Sequence, residues 1–185
     1  MILRVLHPRK YIPLFGIAWK WRESYPRRVR QWDIITTFDA WLEKMQERVS
    51  VGVFAPNLIA LVTLEPTEED VYEVHVDCER GVERGILVTA LLSMQRTVFE
   101  EWGAREVFAG VVSKNCGILD VARECGFTPD GISEQVGRLK FIRLRMTDVQ
   151  YKDRYEHRID YEHIHPRARS FVAGHRSAQG HEVSG

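Results

Sequence analysis

From Val71 to Asp77 the residues alternate, with Tyr72, Val74 and Val76 set against Glu73, His75 and Asp77, so a strand here carries one apolar and one ionisable face. A carboxylate and an imidazole on such a face can take a proton from a nucleophile, which makes Glu73 and His75 the candidate general bases. Immediately downstream, Arg80-Gly81-Val82-Glu83-Arg84-Gly85 precedes an apolar stripe of helical period. Backbone N–H groups at a helix N-terminus form a nest for an anion, and glycines let the anion come close to the chain. Asn115 can cap a second, shorter helix. Plainer readings of these residues stay open: a solvent-facing strand face, a helix start whose Glu83 suits the helix dipole, and a cap with no ligand.

The elements that must position these side chains can be read from periodicity. Residues 1 to 6 form a short apolar strand, after which Pro8 and Pro13 interrupt regular structure and the chain is expected to turn. Thr36-Thr37-Phe38-Asp39 offers a capping box before Phe38, Trp41, Leu42 and Met45, predicting a helix over about Thr37 to Glu47. Trp19, Trp21, Trp32 and Trp41 crowd this N-terminal third, where core packing of helices on a sheet is their expected role. Arg48 to Pro56 and Leu58 to Glu65 pair as a hairpin across Pro56-Asn57, ending at Pro66. Leu87, Leu91, Met94, Val98 and Trp102 recur at helical spacing, and Gly103 stops the helix. Val107 to Val112 is a short strand, and a helix with Ile118, Val121, Ala122 and Cys125 facing inward ends at Gly126. A hairpin over Ser133 to Val136 and Leu139 to Thr147 closes the sheet.

At 185 residues, 44% hydrophobic and 28% charged, the chain fits one domain with its own core, and no apolar run is long enough for a membrane span. The apolar N-terminal stretch is too short for a signal peptide. Cys78, Cys116 and Cys125 show neither disulfide nor zinc spacing, so reduced intracellular thiols are expected, and His157, His163, His165 and His175 form no recognisable metal site. The formal net charge is zero, but Arg9, Lys10, Lys20, Arg22, Arg27, Arg28 and Arg30 face a single Glu23 in one segment, while Glu65 to Glu83 is acidic. Solvated faces that partly neutralise each other are the first reading of this segregation and a partner surface the second; a nucleic-acid surface on the basic segment ranks last.

The order strand, glycine-bearing turn, long helix, strand, short helix, Gly-Phe over Val71 to Phe127 resembles the acyl-CoA-binding core of the GNAT N-acetyltransferase superfamily, and the likeness extends over residues 1 to about 147. It implies an α/β (α+β) fold: a mixed, mostly antiparallel six- to seven-stranded sheet, flanked by helices and splayed to admit a CoA thioester. The family's R-G-x-G-x-G/A turn matches at Gly81 and Gly85, with Glu83 in place of the middle glycine and Arg80 and Arg84 as compensating charges. The second motif keeps Asn115 and Gly126-Phe127 but has Ala122 where the family's proton-donating tyrosine falls. The resemblance implies an acyl-CoA-dependent N-acyltransferase of cytoplasmic location with acetyl-CoA as cofactor and no metal. Arg80, Gly81, Val82, Arg84, Gly85 and Asn115 would lie on its phosphates, the Val76 backbone on its pantetheine arm, and Glu73 or His75 would serve as base.

The departures at Glu83 and Ala122 motivate an alternative: a non-catalytic GNAT-like structural or adaptor protein of a bacteriophage virion, in a host cytoplasm. From Asp148 the sequence turns to mixed charge and histidine, and its last residues lack core-forming types. Residues 148–185 are therefore expected to form an extended tail held by a protein partner, outside the domain of residues 1–147.

Overall fold

A computed structural model describes residues 1–24, 37–136 and 138–155. Arg27, Arg28, Arg30, Trp32, Thr36 and the tail histidines singled out above lie outside the described residues. The elements run β1 (Ile2–Leu6), α1 (Ile12–Ser24), α2 (Phe38–Lys44), β2 (Val49–Phe54), β3 (Leu58–Glu68), β4 (Val71–Cys78), α3 (Arg84–Arg96), β5 (Glu106–Val112), α4 (Cys116–Glu124), β6 (Thr128–Val136), β7 (Leu139–Thr147) and α5 (Asp148–Tyr155). The strands make one seven-stranded sheet in the order β1-β2-β3-β4-β5-β7-β6. Every neighbouring pair is antiparallel except β4 and β5. This is the mixed, mostly antiparallel sheet that the sequence predicts.

Period-two patterning gives the sheet two different faces. Ala60, Val62 and Leu64 of β3, Val74 of β4, and Val107 and Val111 of β5 pack with Leu87, Leu91 and Met94 of α3 and with Leu119, Val121 and Ala122 of α4. On the opposite face Leu61 joins Phe15 and Ala18 of α1 and Trp41 and Met45 of the α2 region. Trp19, Phe38 and Phe15 surround Trp41 with ring centroids 5.6 to 6.2 Å apart, so the described tryptophans of this region are core anchors as expected.

The prolines do not break α1. Pro13 falls in its first turn, where a missing N–H costs no helical hydrogen bond. The Thr37 hydroxyl caps α2 by accepting from the Ala40 N–H at 3.3 Å, and a 3-10 turn over Met45–Glu47 completes the predicted helix. Pro66 does not end β3, which runs on to Glu68 past a register shift. Beyond Arg96, α3 widens into a π turn over Thr97–Glu101 before Gly103, at φ +70°, stops it. β6 starts already at Thr128 rather than at Ser133.

Helix α5 lies within the segment expected to be a tail, yet it is held on the core. Buried Tyr151 stacks on Phe99 at 4.8 Å and donates its O–H to Glu100 Oε1 at 2.6 Å, while Arg154 donates to the Glu124 carbonyl at 2.8 Å. Burial first, then this hydrogen bond to a carboxylate, pushes the Tyr151 phenol above its ordinary range. The three cysteines are free thiols, and burial pushes that of Cys125 up to about 12. No helix among the described residues is long and apolar enough to cross a membrane.

Candidate active site

Register across three strands builds a row of charged groups on the sheet face that α1 and α2 flank. Val49 pairs with Leu64, so Arg48, just before β2, comes beside Glu65; Glu65 pairs with Glu73, Thr63 with His75, and Leu61 with Asp77. His75 Nε2 lies 3.1 Å from Glu65 Oε2 and 3.8 Å from Glu73 Oε2. Arg48 Nη2 binds the same Glu65 Oε2, and Lys44 Nζ from the end of α2 lies 3.3 Å from Oε1. The two residues predicted as bases are thus brought together, half-buried, with a second acid, Glu65, against His75 and two cations on that acid.

The electrostatics follow from this company. The His75 hydrogen bond, with the charges of Arg48 and Lys44, outweighs partial burial and holds the Glu65 carboxyl down at about 2. Arg48 is 8% exposed, and burial lowers its pKa against the pull of Glu65 and Glu73. Burial pushes the Asp77 carboxyl up, opposed by the charges of Arg22, His75 and Arg48. The ligand-type atoms of Glu65, Glu73 and His75 lie within 4.8 Å of one another. Lys44 and Arg48 already satisfy Glu65, so a divalent cation there would meet two positive charges.

The parallel pairing of β4 with β5 ends beside this row. β4 and β5 keep register only from Val71 with Glu106 to Glu73 with Phe108, after which the strands part and β5 continues with β7 alone. Val76 lies in the stretch of β4 beyond that register. Across the opening, Gly110 is exposed, and a Cβ built on it would meet only Glu73 Oε1, at 4.0 Å. A mid-strand glycine therefore leaves free space next to the Glu73 carboxylate.

The glycine turn sits at the far end of β4. Gly81 takes φ +86°, a conformation that favours glycine, and a Cβ at Gly81 or Gly85 would meet nothing within 4 Å. Glu83 is the N-cap residue of α3 but makes no side-chain cap bond, so its carboxylate is not fixed over the first N–H groups of the helix. Val82 packs partly against the core. Arg84 turns away to α4, where its Nε donates to Glu124 Oε2 at 2.8 Å. Arg80 lies in the same exposed turn. Asn115 caps α4, its Oδ1 accepting from the Ile118 N–H at 3.4 Å, and Ala122 is buried against α3.

Sequence reading missed Arg48, Glu65, Lys44 and Gly110 as members of the site. The signal for Arg48 was present, since counting outward from Pro56-Asn57 sets it beside Glu65, but a count across the second hairpin sets Glu65 beside Val74, and only the register shift between Pro66 and Glu68 brings it beside Glu73. Lys44 and Gly110 reach the site through helix placement and strand divergence, which periodicity does not encode.

No protein-family model matches the sequence, and no curated protein matches it. Solved structures do. A chimera of the Vibrio cholerae spermidine N-acetyltransferase aligns with TM-score 0.66 at 19% identity, covering 82% of this chain and 99% of that one. The Vibrio cholerae enzyme in complex with CoA and spermine aligns with TM-score 0.64 at 18% identity, covering 81% and 96%. A structure described as a probable acetyltransferase gives 0.58 at 14%, covering 80% and 93%. The chain has the GNAT fold, as the turn and Gly-Phe motifs imply. These similar structures are acetyltransferases and lend nothing to the virion reading.

Proposed function

We propose that the chain is an acyl-CoA-dependent N-acyltransferase whose acceptor is an amine. The observation that carries the reading is the parting of β4 from β5 directly beside the Glu65–His75–Glu73 cluster. The free edge of β4 at Val76 fits an extended pantetheine arm, and the open turn at Arg80, Gly81, Val82, Arg84 and Gly85 fits a pyrophosphate, since no side chain fills the space over either glycine. When bound, acyl-CoA supplies the acyl group activated as a thioester. His75 takes the proton that the amine must lose. Glu73, at the cleft mouth against bare Gly110, attracts a protonated amine to the opening. Asn115 is assigned the cap alone, and with Ala122 in place of a hydroxyl no proton donor on α4 is proposed. The compartment proposed for this activity is the cytoplasm.

Calorimetric titration of the chain with acetyl-CoA and with CoA, followed by acylation assays over a panel of amines, tests the reading. Micromolar binding with turnover of an amine is expected. No binding at millimolar ligand overturns it and leaves a GNAT-like scaffold without catalysis. The proposed protein partner of the C-terminal region narrows to residues 156–185, because α5 is engaged with its own core; chains with and without 156–185 should then differ in assembly size by light scattering.

A further inference from the structure

We infer that Glu65 is a positioning residue that fixes His75 in the neutral tautomer carrying its proton on Nε2, leaving Nδ1 as the proton-accepting atom. The catalytic consequence rests on the N-acyltransferase reading, whereas the tautomer is a property of the protein alone.

Three donors converge on Glu65. Lys44 Nζ lies 3.3 Å from Oε1, while Arg48 Nη2 and His75 Nε2 share Oε2, the latter at 3.1 Å. A carboxylate in that company stays ionised and only accepts. Neutral imidazole has one N–H, so the nitrogen in hydrogen-bond contact with Glu65 is the one that bears it. The lone pair then belongs to Nδ1.

The other charged groups around His75 do not compete for that proton. Glu73 Oε2 is 3.8 Å from the same nitrogen, beyond hydrogen-bond reach. Asp77 on β4 and Arg22 on α1 interact with the cluster through their charges, Asp77 with His75 and Arg48, and Arg22 with Asp77. Glu65 itself cannot swing away cheaply, because buried Arg48 would lose its counter-charge. The imidazole orientation is thereby braced from α2, from the residue before β2 and from β3, three elements with no part in the glycine turn.

Long-range proton–nitrogen NMR on the full chain, labelled at histidine and held above the range in which histidine titrates, reads the tautomer directly, with His75→Gln assigning the signal. The native chain is expected to show Nε2–H in excess of Nδ1–H by about tenfold or more. Glu65→Gln, whose amide can donate as well as accept, should bring the ratio to within about threefold of one. Glu73→Gln should leave it unchanged. A native Nδ1–H tautomer, or a ratio unmoved in Glu65→Gln, overturns the inference; if Glu65→Gln fails to fold, the native tautomer alone decides. With an accepted amine, Glu65→Gln should also lower kcat/KM by about 10² at unchanged acetyl-CoA affinity, and the pH profile should change with it. An Nε2–H tautomer in a chain that binds no acetyl-CoA sinks the acyltransferase reading and leaves the positioning intact. A wrong tautomer in an active enzyme does the reverse.

Discussion

Arg84, the first residue of α3, reaches across to Glu124 at the end of α4, with Nη2 2.6 Å and Nε 2.8 Å from Glu124 Oε2. The guanidinium that sequence assigns to the phosphates is thus committed elsewhere, and both side chains are about half exposed. Glu124→Gln should free Arg84 for the glycine turn. An exposed pair is worth at most about 1 kcal/mol, so acetyl-CoA should bind more tightly by up to about fivefold, and stability should fall by less than about 1 kcal/mol. Titration calorimetry and thermal melts check both; unchanged or weaker binding would remove Arg84 from the cofactor site.

Glu65 makes stability depend on acid pH. Its folded carboxyl sits at about 2, below the ordinary 4.5, so its contribution is fully present above the unfolded value and is lost as pH falls from about 4.5 towards 2. The shift caps the effect at about 3 kcal/mol, and the partial exposure of the side chain brings it to about 1–3. Glu65→Gln should be less stable than the native chain at pH 6, and the gap should close on acidification to pH 2. Denaturant melts across that range decide it, and a gap independent of pH would contradict an origin in the ionised Glu65 carboxylate.

The sequence already displays the alternation of β4, the stripe of α3 and the Thr37 and Asn115 caps, because each is local and repeats at the period of its element. It conceals α1, since Pro8 and Pro13 advertise a break while the position of Pro13 in the first turn removes the cost. The site is half legible for the same reason. Glu73 and His75 share one strand and announce a common face, whereas Arg48 and Glu65 join them only through register summed over two hairpins. Arg84 shows the opposite limit: its place in the motif is plain from sequence, but its commitment to Glu124 depends on how α4 packs on α3.

Gly126 of the Gly-Phe pair has φ +87°, and a Cβ there would lie 2.5 Å from Met146 Cε and 2.9 Å from Arg154 Cδ. Gly131 has φ +85° and nothing within 4 Å of the same position. Both alanine substitutions carry the backbone cost of roughly 1–2 kcal/mol, but Gly126→Ala must also displace a buried methionine and the arginine that ties α5 to α4. Gly126→Ala should therefore destabilise more than Gly131→Ala, by about 1 kcal/mol or more in denaturant unfolding. Equal costs would mean that α5 yields freely at this contact.

Gly110 offers the most selective test of the cleft. Valine is better suited to a strand than glycine, and its Cβ would have only Glu73 Oε1 within contact range, at 4.0 Å, so Gly110→Val should hold or raise stability by up to about 1 kcal/mol. The glycine turn lies at the other end of β4, and acetyl-CoA affinity should stay as it is. What should change is access for the amine: KM is expected to rise about tenfold or more for branched or bulky amines and much less for slim linear ones, because the added methyls narrow the gap between β5 and Glu73. Steady-state kinetics over amines of graded width measure this directly. A uniform KM across the series in a folded Gly110→Val chain would move the acceptor path away from the mouth between Glu73 and Gly110.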